Sequence, residues 1–371
     1  MNQINRRNWL RTAGLSTGML VLGNTSAFGF EPLKEKFDSD RLVMLNANEN
    51  PFSPSFRIQQ KISDNFDLIC RYPFRIEDEL IEAIAAKEGV PKNYVVITGG
   101  STEGLKAAGL IFGRDGGEII AADPTYQSLL TYAESHGSKI QRVPLNDALE
   151  HDLEAMADRI NKKTGLIFIC NPNNPSGTII DANTMLDFCK SHDDKAVIFS
   201  DEAYYDYITE PEYPSMIELV KEGRNIIVSK TFSKVYGLAG LRVGYLIAKP
   251  EIATQLKKSV MANTNVLAIK AAQEALKDDD FYKYSIAKNM EAKLFLYKSF
   301  DELDLRYVPS HSNFVFFESG RPITQLQEQM KKEQILIGRP FPPLQDWARI
   351  STGKMEHMKL FVQALKKVMS D

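Results

Sequence analysis

The sequence predicts an α/β protein, with a mostly parallel seven-stranded sheet in a large domain and a smaller α+β domain. Three observations carry this reading. Seven strand-like runs, at 95–98, 118–121, 139–143, 166–170, 196–200, 226–229 and 243–248, alternate with helical stretches, as in repeated βαβ units. From about Lys257 the pattern turns helical, with later strands such as 314–317. The 371 residues suffice for two domains around sizeable cores.

Taken in chain order, the runs end in segments that carry chemistry. Val95-Val96-Ile97-Thr98 is β-branched and reads as a strand. It passes through Gly99 and Gly100 into Ser101-Thr102-Glu103-Gly104, a helix start whose free amides and positive dipole end form a phosphate cradle. After 118–121, Asp123-Pro124-Thr125-Tyr126 offers an aromatic face for a flat heterocycle. The apolar run 166–170 reads as a buried parallel strand. The turn Asn171-Pro172-Asn173-Asn174-Pro175-Ser176-Gly177 closes it, and its prolines and glycine leave the Asn174 amide aimed outward. An ordinary surface turn would have a similar composition.

The run 196–200 ends in Asp201-Glu202-Ala203-Tyr204. A carboxylate at the end of a buried strand is costly unless it meets a cation, and a protonated ring nitrogen would serve. Helix N-capping by Asp201 is a competing use of the same group. Tyr204, three residues on, is placed to reach a ring oxygen beside Asn174.

The most informative run is Ser229-Lys230-Thr231-Phe232-Ser233-Lys234-Val235-Tyr236-Gly237-Leu238-Ala239-Gly240-Leu241-Arg242. Its hydroxyls, with Arg242 expected two helical turns beyond Lys234, suit a phosphate dianion. The Lys234 amine suits an aldehyde, and together they suit pyridoxal phosphate (PLP). A basic strand-to-helix turn would look alike in isolation, but the other three segments supply the rest of such a site.

These segments, with Leu45-Asn46-Ala47-Asn48-Glu49-Asn50-Pro51, Arg71-Tyr72-Pro73 and Ala348-Arg349-Ile350-Ser351-Thr352-Gly353, resemble fold-type I PLP enzymes. Among these, the chain is similar to class I/II aminotransferases of the histidinol-phosphate aminotransferase type, from about Arg41 onward. The resemblance implies the PLP-dependent transferase fold and a homodimer. It implies Lys234 as the Schiff-base lysine, Asp201 on the pyridine nitrogen, Asn174 and Tyr204 on the ring hydroxyl, and Tyr126 stacked on the ring. Gly100, Ser101, Thr102, Thr231, Ser233 and Arg242 would hold the phosphate, with Tyr72 reaching in from a second subunit. Arg349 would clamp a substrate anion, and Arg339 is a second candidate contact. Two departures bear on substrate or phosphate geometry. Phe52-Ser53-Pro54 stands where the family has an aromatic, a glycine and a proline, and Thr102 stands where it has an acidic residue.

A net charge of −3 offers no general polyanion-binding surface, so small molecules rather than nucleic acid are the expected partners. Cys70, Cys170 and Cys189 are odd in number and widely spaced, and no His pairs at ligand spacing, so neither a disulfide framework nor a metal site is expected. Asn5-Arg6-Arg7-Asn8-Trp9-Leu10-Arg11, followed by an uncharged stretch from Thr12 to Phe30, resembles a twin-arginine export signal. Its polar content makes a membrane span a poor reading. The expected organisation is a signal segment at 1–29, an arm at 30–60 joining the small domain, a large PLP-binding domain at 61–256 and a small domain at 257–371. The expected activity is transamination between an amino donor and a 2-oxo acid such as 2-oxoglutarate, in a periplasmic or exported protein, with a cytoplasmic location as the alternative. A decarboxylase or lyase on the same scaffold is the alternative. A regulator's PLP-sensing module is disfavoured, because the stretch before Arg41 is too short and too uncharged for a DNA-binding domain.

Overall fold

A computed structural model describes residues 42–370. The signal-like segment 1–29 and the first part of the arm lie outside the described residues. The strands are β1 (Val43–Leu45), β2 (Val95–Thr98), β3 (Glu118–Asp123), β4 (Lys139–Pro144), β5 (Thr164–Cys170), β6 (Val197–Asp201), β7 (Ile226–Thr231), β8 (Gly244–Ala248), β9 (Tyr307–Val308), β10 (Phe314–Glu318), β11 (Ile335–Ile337) and β12 (Trp347–Ser351).

Seven of them form one sheet in the order β2-β8-β7-β6-β5-β3-β4. Only β8 runs antiparallel to its neighbours there; the remaining pairs are parallel. This is the predicted mostly parallel sheet, and the expected runs fall on its strands. The middle strands are apolar on both faces because helices cover both, so each side chain enters a core whichever way it points. Phe168 of β5 and Phe199 of β6 are wholly buried, their ring centroids 5.9 Å apart. Burying each such side chain contributes about 1.5–3 kcal/mol.

A second, smaller set of strands follows. β9, β10 and β12 form an antiparallel sheet, and β1 pairs in parallel with β11. Val43, Leu45, Leu296, Phe300, Phe317, Ile350 and Phe361 share the core beneath them. The helices Pro250–Ser259 and Val266–Ala275 do not belong to that core. Ile252 and Leu256 pack with the large-sheet residues, as do Ala268, Ile269 and Ala272. The change of core therefore falls within the helix Asp279–Glu302, whose Ala292, Leu296 and Phe300 join the smaller one. The boundary expected near Lys257 is too early: the onset of helical periodicity there marks helices laid on the large sheet.

The parallel register sets up the site. Cys170 pairs with Asp201 and Asp201 with Ser229, so β5, β6 and β7 end side by side. Ligands of such sheets gather beyond the carboxyl ends of the strands, where the predicted segments converge.

Candidate active site

A cavity of about 320 Å³ opens at these strand ends. Ser101, Thr102, Tyr126, Asn174, Asp201, Tyr204, Thr231, Ser233, Lys234, Arg242, Arg339 and Arg349 all line it. Gly100 sits behind this lining, and Tyr72 lies elsewhere.

Lys234 follows the end of β7 and donates from Nζ to the main-chain oxygen of Asn48 at 2.9 Å. Burial, then the nearby Arg349 charge, lowers its pKa to about 8; Glu49 and Asp201 oppose the shift. The other lysine of the motif faces different surroundings. Lys230 Nζ lies 3.6 Å from Glu88 and 3.7 Å from Glu202, over the Tyr205 ring, and is absent from the cavity lining. Of the two lysines, only Lys234 presents its amine to the cavity.

Asp201, the last residue of β6, is 2% exposed, and its Oδ1 has no hydrogen-bond partner. Burial pushes its carboxyl pKa up to about 7, against the Ala203 amide and the Lys234 charge, which stabilise the anion. It caps no helix: the next helical turn, Tyr205–Tyr207, begins after Tyr204. The competing sequence reading of Asp201 therefore fails, and an orphaned buried carboxylate oxygen on a residue that lines the cavity is what a protonated ring nitrogen would satisfy.

At the opposite side of the strand ends, Gly100 precedes the helix Ser101–Gly113 with φ 85°. A Cβ there would sit 2.3 Å from Nη2 of Arg242, so only glycine lets the guanidinium reach the helix N-terminus. Arg242 arrives differently from the expectation. The segment after Lys234 is a turn with a single 3₁₀ element, Ala239–Leu241, and Arg242 itself is left-handed, φ 56°. Its Nη1 donates to the Ala239 oxygen at 2.8 Å and to Ser233 Oγ at 3.4 Å. Thr231 Oγ1 donates to Ser233 Oγ at 3.0 Å. Four Ser/Thr hydroxyl side chains, the free amides of a 13-residue helix and one guanidinium thus converge on the cavity, a donor set suited to a phosphate dianion.

Asn171 and Asn173 hold the loop after β5 in place. Asn171 Nδ2 donates to Tyr213 Oη at 2.6 Å, and Asn173 Oδ1 accepts from Thr125 Oγ1 at 2.7 Å, which ties this loop to the one bearing Tyr126. Asn174 Nδ2 then reaches Tyr204 Oη at 3.5 Å. Tyr204 is buried edge-on against Phe314, centroids 5.2 Å apart, and burial raises its phenol pKa well above the usual range.

Arg349 projects from the middle of β12, opposite Phe316 of β10. Its Nη1 donates to Asn174 Oδ1 at 2.6 Å and its Nη2 to the Asn46 oxygen at 2.8 Å, while Nε has no partner. Burial lowers its pKa to about 10, and Arg339 adds to the shift. Arg339 is exposed; its guanidinium carbon lies 4.4 Å from the Phe341 ring centroid, and that of Arg349 lies 5.0 Å from the same centroid.

Tyr72 is 77% exposed and stacks on Phe74, centroids 5.8 Å apart. It lines a separate hollow of about 400 Å³ with Arg71, Pro73, Asn263 and Thr264. The sequence reading also missed lining residues: Ala47, Asn48, Glu49, Ala203 and Ala239 border the main cavity. The recurrence of Asn at 46, 48 and 50 ahead of Pro51 is the signal that marks the first group.

Residues 40–365 match the family model of aminotransferase class I and II, and the chain belongs to that family. It is a PLP-dependent aminotransferase. It is 36% identical over 344 residues to histidinol-phosphate aminotransferase of Moorella thermoacetica, covering 92% of this chain and 89% of that protein. Against the Caldicellulosiruptor saccharolyticus protein of the same name, identity is 34% over 340 residues, 91% and 94% of the two chains. A candidate histidinol-phosphate aminotransferase from Erwinia carotovora atroseptica superposes with a TM-score of 0.86 at 30% identity, over 90% of this chain and 97% of that one. Histidinol-phosphate aminotransferase of Sinorhizobium meliloti, solved with pyridoxal-5'-phosphate, shares the fold with a TM-score of 0.83 at 24% identity, over 94% and 99%. Among the described residues no helix is long and apolar enough to cross a membrane.

Proposed function

We propose that this aminotransferase takes an amino donor carrying both a ring and an anionic group, of the histidinol-phosphate or aromatic type, and pairs it with a 2-oxo acid such as 2-oxoglutarate. The observation behind this reading is the pair Arg349 and Arg339 gathered about Phe341 at the cavity. Arg349 offers a buried planar fork for a carboxylate, Arg339 an exposed charge for a second anion, and the aromatic rings an apolar wall between them. The names of the relatives in Moorella and Caldicellulosiruptor favour the same donor class.

In this reading PLP supplies an electron sink that makes the proton on the donor's α-carbon acidic. The residues do the rest. Asp201 holds a proton on the ring nitrogen by its charge. Asn174 and Tyr204 orient the ring through its hydroxyl, and Tyr126 packs against its face. Gly100, Ser101, Thr102, Thr231, Ser233 and Arg242 fix the phosphate. Lys234 would hold the cofactor through its aldehyde, and its amine, which lines the cavity, would take the proton from the donor's α-carbon and give it back. The lowered pKa of that amine leaves about a tenth of it neutral at pH 7, far more than an ordinary lysine would have, as a general base requires.

Two further features belong to the proposal. Phe66, Ile69, Tyr72, Phe74 and Met261 are exposed large apolar side chains, Tyr72 and Ile69 lining the second hollow. Such a patch favours a homodimer in which Tyr72 reaches the partner's phosphate site. The Arg6-Arg7 segment favours export, testable by fractionating cells that express the tagged full-length chain. An amino-donor screen with purified protein tests the activity: 2-oxo product formed from histidinol phosphate or an aromatic donor, with 2-oxoglutarate consumed, supports it. Release of CO2 or ammonia instead would favour the decarboxylase or lyase alternative. That alternative has a fold precedent in L-threonine-O-3-phosphate decarboxylase of Porphyromonas gingivalis, TM-score 0.75 at 22% identity over 89% and 100% of the chains.

A further inference from the structure

We infer that Asn48 is a positioning residue for the reacting amine: its main-chain carbonyl fixes Lys234 Nζ, and its side chain locks that carbonyl in place. The inference rests on the reading of Lys234 as the reacting lysine.

Asn48 is 1% exposed and sits in left-handed backbone, φ 54°. A non-glycine residue there is uncommon, though asparagine tolerates it better than most. Every polar group of the residue is engaged. Its N–H donates to Ser351 Oγ at 2.8 Å, and the same hydroxyl donates back to Asn48 Oδ1 at 3.0 Å. Its Nδ2 donates to Tyr204 Oη at 3.0 Å. Its carbonyl accepts from Lys234 Nζ at 2.9 Å and from Asn313 Nδ2 at 3.0 Å. Glycine would accept the backbone angle with less strain, so the side chain's bonds are what this position gains from asparagine.

The consequence lies in the amine's own inventory. A neutral Lys234 has two N–H donors and one lone pair, and the lone pair must be free to bond carbon or take a proton. Engaging one N–H on a fixed carbonyl stops the amine rotating and leaves the lone pair unspent. Charged groups also act on Nζ: Asp201 from β6, Glu49 beside Asn48, Arg349 from β12 and Arg242 from the phosphate side, with the Tyr204 ring 5.4 Å away. Asn48 is the neutral member of this ring. The same short segment also receives the anion clamp, since Arg349 Nη2 donates to the Asn46 oxygen at 2.8 Å. Residues 46–48 therefore set the distance between the place of the substrate anion and the amine that must reach its α-carbon.

The test is competitive acetylation of PLP-stripped protein across pH, reading Lys234 by peptide mass spectrometry in wild type, Asn48→Gly and Ser351→Ala. Losing a fixed acceptor disfavours the ammonium form. In Asn48→Gly the Lys234 labelling midpoint should fall by about half a pH unit or more, roughly threefold more neutral amine at pH 7. Ser351→Ala, which only loosens Asn48, should move it the same way by less. In holoenzyme, Asn48→Gly should lower kcat about tenfold while the KM of the 2-oxo acid changes less. Should Asn48→Gly not fold, Ser351→Ala alone decides. Wild-type labelling curves in the folded variants would overturn the inference. Borohydride reduction of loaded protein separates it from the reading beneath: a label away from Lys234 sinks that reading, whereas a label on Lys234 with unmoved curves sinks only the role of Asn48.

Discussion

Arg349 donates to the side-chain oxygen of Asn174 at 2.6 Å, joining a strand of the smaller sheet to the loop after β5 across 175 positions of sequence. One guanidinium edge thus orients Asn174, whose amide nitrogen reaches Tyr204, while the unpartnered Nε remains for another acceptor. Lysine at this position would keep the charge and lose the fork. Arg349→Lys should lower kcat/KM for 2-oxoglutarate about tenfold or more, the factor attached to about 1.4 kcal/mol of transition-state binding. PLP should stay bound, because the phosphate donors are untouched. Unaltered 2-oxoglutarate kinetics would remove Arg349 as the clamp.

Gly100→Ala tests the phosphate cradle. The new Cβ would lie 2.3 Å from Arg242 Nη2, at a φ of 85° that alanine adopts poorly. Arg242 must withdraw, and the variant should bind PLP about tenfold or more weakly, with a stability loss of about 1 kcal/mol or more from backbone strain. Fluorescence titration with PLP measures the first effect and thermal melting of stripped protein the second. Wild-type PLP affinity would show that the donors are not set by this close approach.

The sheet was legible in the sequence because buried parallel strands write themselves as short apolar runs, and because Asn171-Pro172 and Gly99-Gly100 punctuate them. Asp201 and Tyr204 were legible as a carboxylate and a phenol placed where a buried strand stops. Asn48, Ser351 and Asn313 were not. Their bonds span 303 and 265 positions, and no local pattern specifies a contact between segments that meet only after both cores form. Arg242 was placed on the correct side for the wrong reason. An eight-residue spacing looks helical, but a left-handed residue at the end of a turn brings the side chain to the same place. The core boundary was misplaced because helical periodicity reports a covered face and not which sheet covers it.

Asp201 makes stability and activity respond oppositely to one substitution. Its folded pKa of about 7 lies above the ordinary carboxyl value, so between about pH 4 and 7 the folded, PLP-stripped protein binds more protons than the unfolded chain. Stability from this group is therefore present at low pH and lost as pH rises towards 7. Lys234, lowered to about 8, acts in a higher window: there the unfolded chain binds more protons, and stability rises from about pH 8 to 10.5. Asp201→Asn removes the first dependence. The stripped variant should melt higher than wild type at pH 7.5, by about 1 kcal/mol or more, and the difference should shrink as pH falls and close below about pH 4. Loaded with PLP, the same variant should transaminate about 100-fold or more slowly, the scale of one lost preorganised electrostatic contact. Near wild-type turnover would show that Asp201 does not serve the ring nitrogen.

Tyr72 offers the sharpest test of a shared site, because in one chain it lies in a hollow of its own. If the homodimer forms over the patch of Phe66, Ile69 and Phe74, its hydroxyl becomes one more donor to the partner's phosphate site, worth about 1.5–3 kcal/mol against a charged acceptor. Sedimentation at micromolar concentration should then show two chains per particle. Tyr72→Phe and Lys234→Ala proteins, each impaired alone, should regain activity when unfolded and refolded together. In a mixed dimer both lesions fall in one site and the other is intact, so random pairing restores about a quarter of all sites. Were Tyr72 to serve its own chain, every site would keep one lesion and mixing would restore nothing. A fully active monomer would equally end the shared-site model, leaving the exposed aromatic pair Tyr72 and Phe74 to another partner.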